Sequence, residues 1–120
     1  MMLEKRLYRL IFIITAIAFL AGAGNLYAQE TKTFQVTAKQ YEFIPGTIQV
    51  NQGDKVVLEV TAIDREHGFG LKAYDINRDL PKGKTVTIEF VADKKGEFTI
   101  TCTTFCGMGH FGMQGKLIVS

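Results

Sequence analysis

The sequence predicts an all-β fold, a sandwich of about seven or eight short strands, on three observations. From Gln29 onward the apolar residues recur at every second position. Turn-forming residues interrupt those runs at even intervals. No stretch of the same region carries a convincing apolar stripe of helical period. The composition is that of one folded domain: 120 residues, 47% apolar and 22% charged, with two Pro and no Trp. It excludes a disordered or collagen-like chain. Two Cys are too few for a disulfide-rich scaffold.

The N-terminal segment stands apart. Lys5, Arg6 and Arg9 precede an apolar run from Leu10 to Leu20, interrupted only by Thr15, and Ala21, Gly22, Ala23 and Gly24 follow. Charge, then apolar residues, then small residues is the order of a secretory signal peptide, here over residues 1–28 with cleavage after Ala23 or Ala28. The rival reading is a retained anchor, although a helix over this run would span roughly 22 Å against a hydrocarbon core of roughly 30 Å. Either way an apolar leader helix precedes a domain at 29–120 that works outside the cytoplasm, periplasmic or otherwise extracytoplasmic. There thiols persist only if oxidised, buried or metal-bound. The leader also holds the excess charge. Setting aside Lys5, Arg6, Arg9 and Glu4 reduces the 14 basic and 12 acidic residues to 11 of each. A neutral domain gives no electrostatic case for nucleic acid, and membrane contact would come only through an uncut leader.

In the body of the chain, Phe34, Val36 and Ala38 alternate with polar residues, as do Ile48 and Val50, then Val56, Leu58 and Val60. Val86, Ile88 and Phe90 follow, then Phe98, Ile100 and Cys102, and last Leu117 and Val119. Pro45-Gly46, Gln52-Gly53-Asp54, Pro81-Lys82-Gly83 and Asp93-Lys94-Lys95-Gly96 are the turns between them. The spacing is that of an antiparallel sandwich. A domain this small buries only about 60–65% of its unfolded surface, so a bound metal would add usefully to its stability.

The chemistry is concentrated in one segment, Cys102-Thr-Thr-Phe-Cys106-Gly-Met-Gly-His110-Phe-Gly-Met113, and in His67, which sits at the end of a strand-like run. Intervals of four, four and three also fit one face of a helix. However, Gly107, Gly109, Gly112 and Gly115 would cost that helix roughly 4 kcal/mol, at about 1 kcal/mol each relative to Ala. The segment is therefore a loop, and it must curl for its two sulfurs to meet, because an extended chain would hold them about 13 Å apart. A Cys102–Cys106 disulfide would leave His67, His110 and Met113 unexplained. A closed two-Cys, two-His zinc site would ignore Met113. Thiolate, imidazole and thioether together select copper. One thiolate with two imidazoles and a weak thioether makes a mononuclear blue site. Two thiolates permit both sulfurs to bridge two ions, each ion then taking one His.

These residues resemble the CuA domain of cytochrome c oxidase subunit II, a branch of the cupredoxin superfamily, particularly its shorter bacterial form. The family pattern is a His, 34 intervening residues, then Cys-x3-Cys-x3-His-x2-Met, and His67, Cys102, Cys106, His110 and Met113 stand in that register. The resemblance runs from about Thr33 to Ser120. Phe43-x-Pro45-x-x-Ile48-x-Val50-x-x-Gly53 resembles the first strands of cupredoxins, and Leu80-Pro81-x-Gly83 is also similar. It implies a Greek-key β-sandwich holding two copper ions. Cys102 and Cys106 would be the bridging thiolates, His67 and His110 would each complete one copper, Met113 would be the weak thioether, and Thr104 would offer its backbone carbonyl. Nitrous oxide reductase carries a similar site, but Thr103-Thr104-Phe105 is closer to the oxidase.

Three departures stand out. Arg65 and Glu66 occupy two positions before His67 that are usually apolar, and read as a solvated turn or as a change in docking or in the hydrogen bonding of His67. Gln40-Tyr41-Glu42-Phe43 stands where the family usually has a Trp-containing segment, which puts a standard cytochrome c docking surface in doubt. The family's transmembrane helices have no counterpart beyond the leader. The function implied is electron transfer from a donor such as a c-type cytochrome to a terminal oxidase or reductase. The alternatives are a membrane-attached oxidase component and a periplasmic copper storage or delivery protein. Nothing resembles a catalytic triad, carboxylate pair or phosphate loop, so the domain is not expected to be an enzyme by itself.

Overall fold

A computed structural model of the chain describes residues 29–120; the leader expected over residues 1–28 lies outside the described residues. Among the described residues nine strands form two sheets. The first sheet contains β1 (Thr31–Lys39), β2 (Glu42–Ile44), β4 (Lys55–Ala62) and β7 (Thr85–Val91), in the order β2-β1-β4-β7. The second contains β3 (Thr47–Val50), β5 (His67–Leu71), β6 (Ile76–Leu80), β8 (Gly96–Thr101) and β9 (Gln114–Val119), in the order β3-β9-β8-β5-β6.

The period-two pattern is what makes the sandwich. Along β4 every second side chain, Val56, Leu58, Val60 and Ala62, is buried while its neighbours remain half-exposed. Val36 and Ala38 of β1 and Ile88 of β7 extend this inner face. Opposite lie Ile48 and Val50, Phe69 and Leu71, Leu80, Ile100, and Leu117 and Val119. Phe43 and Phe69 meet edge to face at 5.8 Å within this core, a favoured aromatic geometry.

The pairing departs from the antiparallel expectation in two places. β1 runs parallel to β4 from Thr31↔Lys55 to Ala38↔Ala62, and β3 runs parallel to β9 from Thr47↔Lys116 to Val50↔Val119. The chain reaches those partners by crossing between sheets, as it does between β2 and β3. Strand direction leaves no mark on an alternating pattern, because both orientations place every second residue inward.

Nine strands exceed the expected seven or eight, and β2, β5 and β6 are the three that fall outside the six alternating runs. β5 matters most for the site. It is flanked by β6 on one side, with His67 opposite Leu80, and by β8 on the other, with Gly70 opposite Thr101. All five of its residues are buried. His67 therefore opens a strand rather than ending one: β4 stops at Ala62, and an exposed bend from Ile63 to Glu66 leads into it.

Candidate metal centre

The segment from Cys102 to Met113 is a loop joining β8 to β9, with one 3-10 turn at His110–Gly112. It curls back over the outer face of β5. Two glycines make room for it: a Cβ on Gly68 would lie 2.3 Å from Thr103 Oγ1 and 2.7 Å from the Thr104 nitrogen, and one on Gly70 would lie 2.5 Å from Thr103 Cγ2. No side chain fits there, so the loop rests directly on strand backbone. The base of the loop is closed by the Cys102 amide, which donates to the Met113 carbonyl at 3.3 Å.

This curl brings the donor atoms together. The two Cys sulfurs are 3.6 Å apart and both are free thiols. Cys102 Sγ is 3.9 Å from His67 Nδ1 and 3.1 Å from the Thr104 carbonyl oxygen. Cys106 Sγ is 3.6 Å from His110 Nδ1 and 3.8 Å from Met113 Sδ. All six atoms expected from the sequence thus lie within 4 Å of one sulfur or the other. His67, Cys102 and Cys106 form a buried cluster whose ligand atoms are all within 4.8 Å of one another. Cys106 and Met113 are sealed from solvent, Cys102 nearly so, and His110 is half-buried.

The donor set suits a soft or borderline ion. Two sulfurs at this separation can both reach one metal at the roughly 2.3 Å typical of metal–thiolate bonds, whereas a disulfide would need about 2.05 Å. Burial raises the Cys106 thiol from 9.0 to about 11, and the neighbouring Cys102 sulfur adds to the rise, while Arg65 partly offsets it. In the metal-free protein the thiol is neutral at pH 7, and a metal that takes it as a thiolate must displace its proton.

Two further residues were not evident from spacing. Asp64 Oδ1 is 2.7 Å from His67 Nε2, and Asp64 Oδ2 accepts the Gln40 amide at 2.7 Å. Burial works against ionisation of Asp64, but the hydrogen bonds from Gln40, His67 and Arg65 outweigh it and hold the carboxyl below its ordinary value. A carboxylate at Nε2 fixes the proton there and leaves the Nδ1 lone pair facing the sulfurs. The signal for Asp64 was a carboxylate three residues before a ligand-type His. Arg65 and Glu66 are exposed in the bend, as a solvated turn requires. The second addition is Gln40 itself, whose side-chain amide donates to the Cys106 carbonyl at 2.7 Å.

A sequence profile described as a cupredoxin-like domain matches residues 10–119. The chain belongs to the cupredoxin-like family. It is 33% identical over 87 residues to cytochrome c oxidase subunit 2 of Thermus thermophilus, which covers 72% of this chain and 64% of that protein. It is also 33% identical over 91 residues to nitrous-oxide reductase of Ralstonia nicotianae, covering 72% of this chain but 14% of that enzyme. The chain therefore spans less than two thirds of either relative. Among solved structures, the periplasmic domain of subunit II of cytochrome oxidase from Bradyrhizobium japonicum superposes with a TM-score of 0.67, at 23% identity, over 73% of this chain and 83% of that one. This cupredoxin-like chain thus shares its fold with that domain, and it is related in sequence to oxidase subunit II and to nitrous-oxide reductase.

Proposed function

We propose that this cupredoxin-like protein is an extracytoplasmic electron carrier with a dinuclear copper centre. One observation carries the reading: two free, buried thiols 3.6 Å apart, each with its own imidazole within 4 Å. Cys102 and Cys106 would hold both ions, His67 and His110 one each, with Met113 and the Thr104 carbonyl as weaker donors. Such a centre supplies a one-electron redox couple, without any bond made to a substrate.

The protein's own residues do the rest. β5 and the Asp64 hydrogen bond fix the His67 ring before any metal arrives, so little reorganisation is needed on loading. Burial of both sulfurs keeps water away. On the other side, His110 reaches the surface between Phe105 and Phe111, with ring centroids 5.5 and 5.0 Å away. Phe105, Phe111 and Met108 are 62%, 84% and 94% exposed. Large apolar side chains exposed beside a site mark a place for a protein partner. A c-type cytochrome as donor and a terminal oxidase or reductase as acceptor would meet the chain there, with His110 as the shortest way in or out.

Rapid mixing with a reduced c-type cytochrome tests this. The copper-loaded protein should oxidise the cytochrome in a second-order reaction, and Phe111→Asp should slow it at least tenfold while leaving the copper content unchanged. No electron exchange at any concentration would leave copper storage or delivery as the better reading.

A further inference from the structure

The corner after β1, Gln40-Tyr41, stands where the family has a different segment, and the electron-transfer reading makes no use of it. β1 belongs to the first sheet, whereas the ligands belong to the second sheet and its loop. Gln40 nevertheless touches both arms of the site. Its backbone N–H donates to Asp64 Oδ2, whose other oxygen holds His67. Its side-chain amide donates to the carbonyl of Cys106. The next residue closes over the same loop: a Cβ on Gly107 would lie 2.5 Å from Tyr41 Oη, and one on Gly109 would lie 2.4 Å from Tyr41 Cδ2. Gly107 also has φ +132, which only glycine adopts without strain.

We infer that Gln40 is a positioning residue for the metal centre, tying the His67 arm to the Cys106 arm and thereby setting the two metal positions against each other. The inference rests on the dinuclear copper reading. Physically it needs only two hydrogen bonds. One orients the carboxylate that orients His67; the other fixes the peptide of Cys106 just before the loop turns at Gly107. The amide donor also places its positive end at the carbonyl of Cys106, whose sulfur belongs to the site. That favours the reduced, less positively charged state of a metal held there.

Gln40→Met keeps the shape and removes the donor; Gln40→Glu replaces it with a carboxylate. Gln49→Met, on an exposed position of β3, is the control. Copper content should match the parent in all three; the melting temperature of the metal-free protein should fall in the Gln40 variants by no more than the few degrees that one lost hydrogen bond accounts for, and not at all in the control. The reduction potential should fall in Gln40→Met and fall further in Gln40→Glu. The electron-spin hyperfine pattern should move away from equal sharing between two coppers, with no change in the control. In the metal-free protein, alkylation of Cys106 should accelerate about fivefold in Gln40→Met, the effect of one lost hydrogen bond on a local opening.

Parental potential, hyperfine pattern and alkylation rate in Gln40→Met would overturn the inference. So would a fall in the metal-free melting temperature well beyond that of one lost hydrogen bond, since Gln40 would then brace the whole fold rather than the site. A parent protein that holds only one copper would sink the dinuclear reading instead, and the alkylation rates would still decide whether Gln40 ties the loop.

Discussion

The two histidines beside the sulfurs belong to different kinds of structure. His67 opens an interior strand, is fully buried and gives one ring nitrogen to Asp64. His110 opens a single 3-10 turn in a loop, is half-buried, and lies between two exposed Phe rings. The same chemical group thus serves one arm that is set by the core and another that is set by a surface loop. The difference suits the redox role proposed above: one side of the centre must not move, and the other must be reachable.

Removing one of the two sulfurs proposed to bridge should have the largest effect. Cys102→Ser is expected to abolish the two-copper centre, with at most one ion retained, as read from the copper-to-protein ratio and the visible spectrum. An unchanged ratio would place the bridge elsewhere. Gly68→Ala comes next, because its Cβ would collide with the Thr104 backbone nitrogen as well as the Thr103 hydroxyl. Overpacking of this kind costs about 1–3 kcal/mol, which should appear as a lower urea midpoint in the metal-free protein.

The histidines themselves give the direct contrast. His67→Ala leaves a buried gap and strips Asp64 of a partner, so it should destabilise the metal-free protein by about 1–3 kcal/mol. His110→Ala should cost within about 0.5 kcal/mol, as surface changes do, yet disrupt copper binding just as severely. Equal destabilisation by the two would break the comparison. Alkaline titration sharpens it further. The Cys106 thiol is held above its ordinary value of 9.0, at about 11, so the folded state keeps a proton that the unfolded state releases. Its contribution is complete below about pH 9 and is lost as pH rises towards 11. Denaturant midpoints of the metal-free protein should fall across that window, and less so in Cys106→Ala. Met113→Leu should do least: a volume-conserving change costs under about 1.5 kcal/mol, so both coppers should stay and only the reduction potential should shift.

The parts legible in the sequence were those with a repeating or spaced signal. Six strands showed the period-two alternation, and the candidate ligand residues stood at intervals that survive any folding of the chain between them. β5 gave no such signal because it is covered on both sides, by the sandwich core and by the loop that lies on Gly68 and Gly70. A strand buried on both faces has nothing to alternate. β2 is three residues long, and β6 (Ile76–Leu80) has buried only Leu80 completely. Asp64 and Gln40 leave no mark in the sequence for another reason. Their role depends on the end of β1 meeting the bend before β5, 24 residues away, and no local pattern records a meeting between two loops. The parallel pairings are hidden in the same way, since they follow from where the chain crosses between sheets.

The central claim is that two coppers share the two sulfurs and one unpaired electron. Electron paramagnetic resonance of the copper-loaded protein, taken with its copper-to-protein ratio, tests this most directly. The account predicts a ratio near two and hyperfine structure from one electron shared equally by two nuclei. Hyperfine structure from a single nucleus, or a ratio near one, would contradict it.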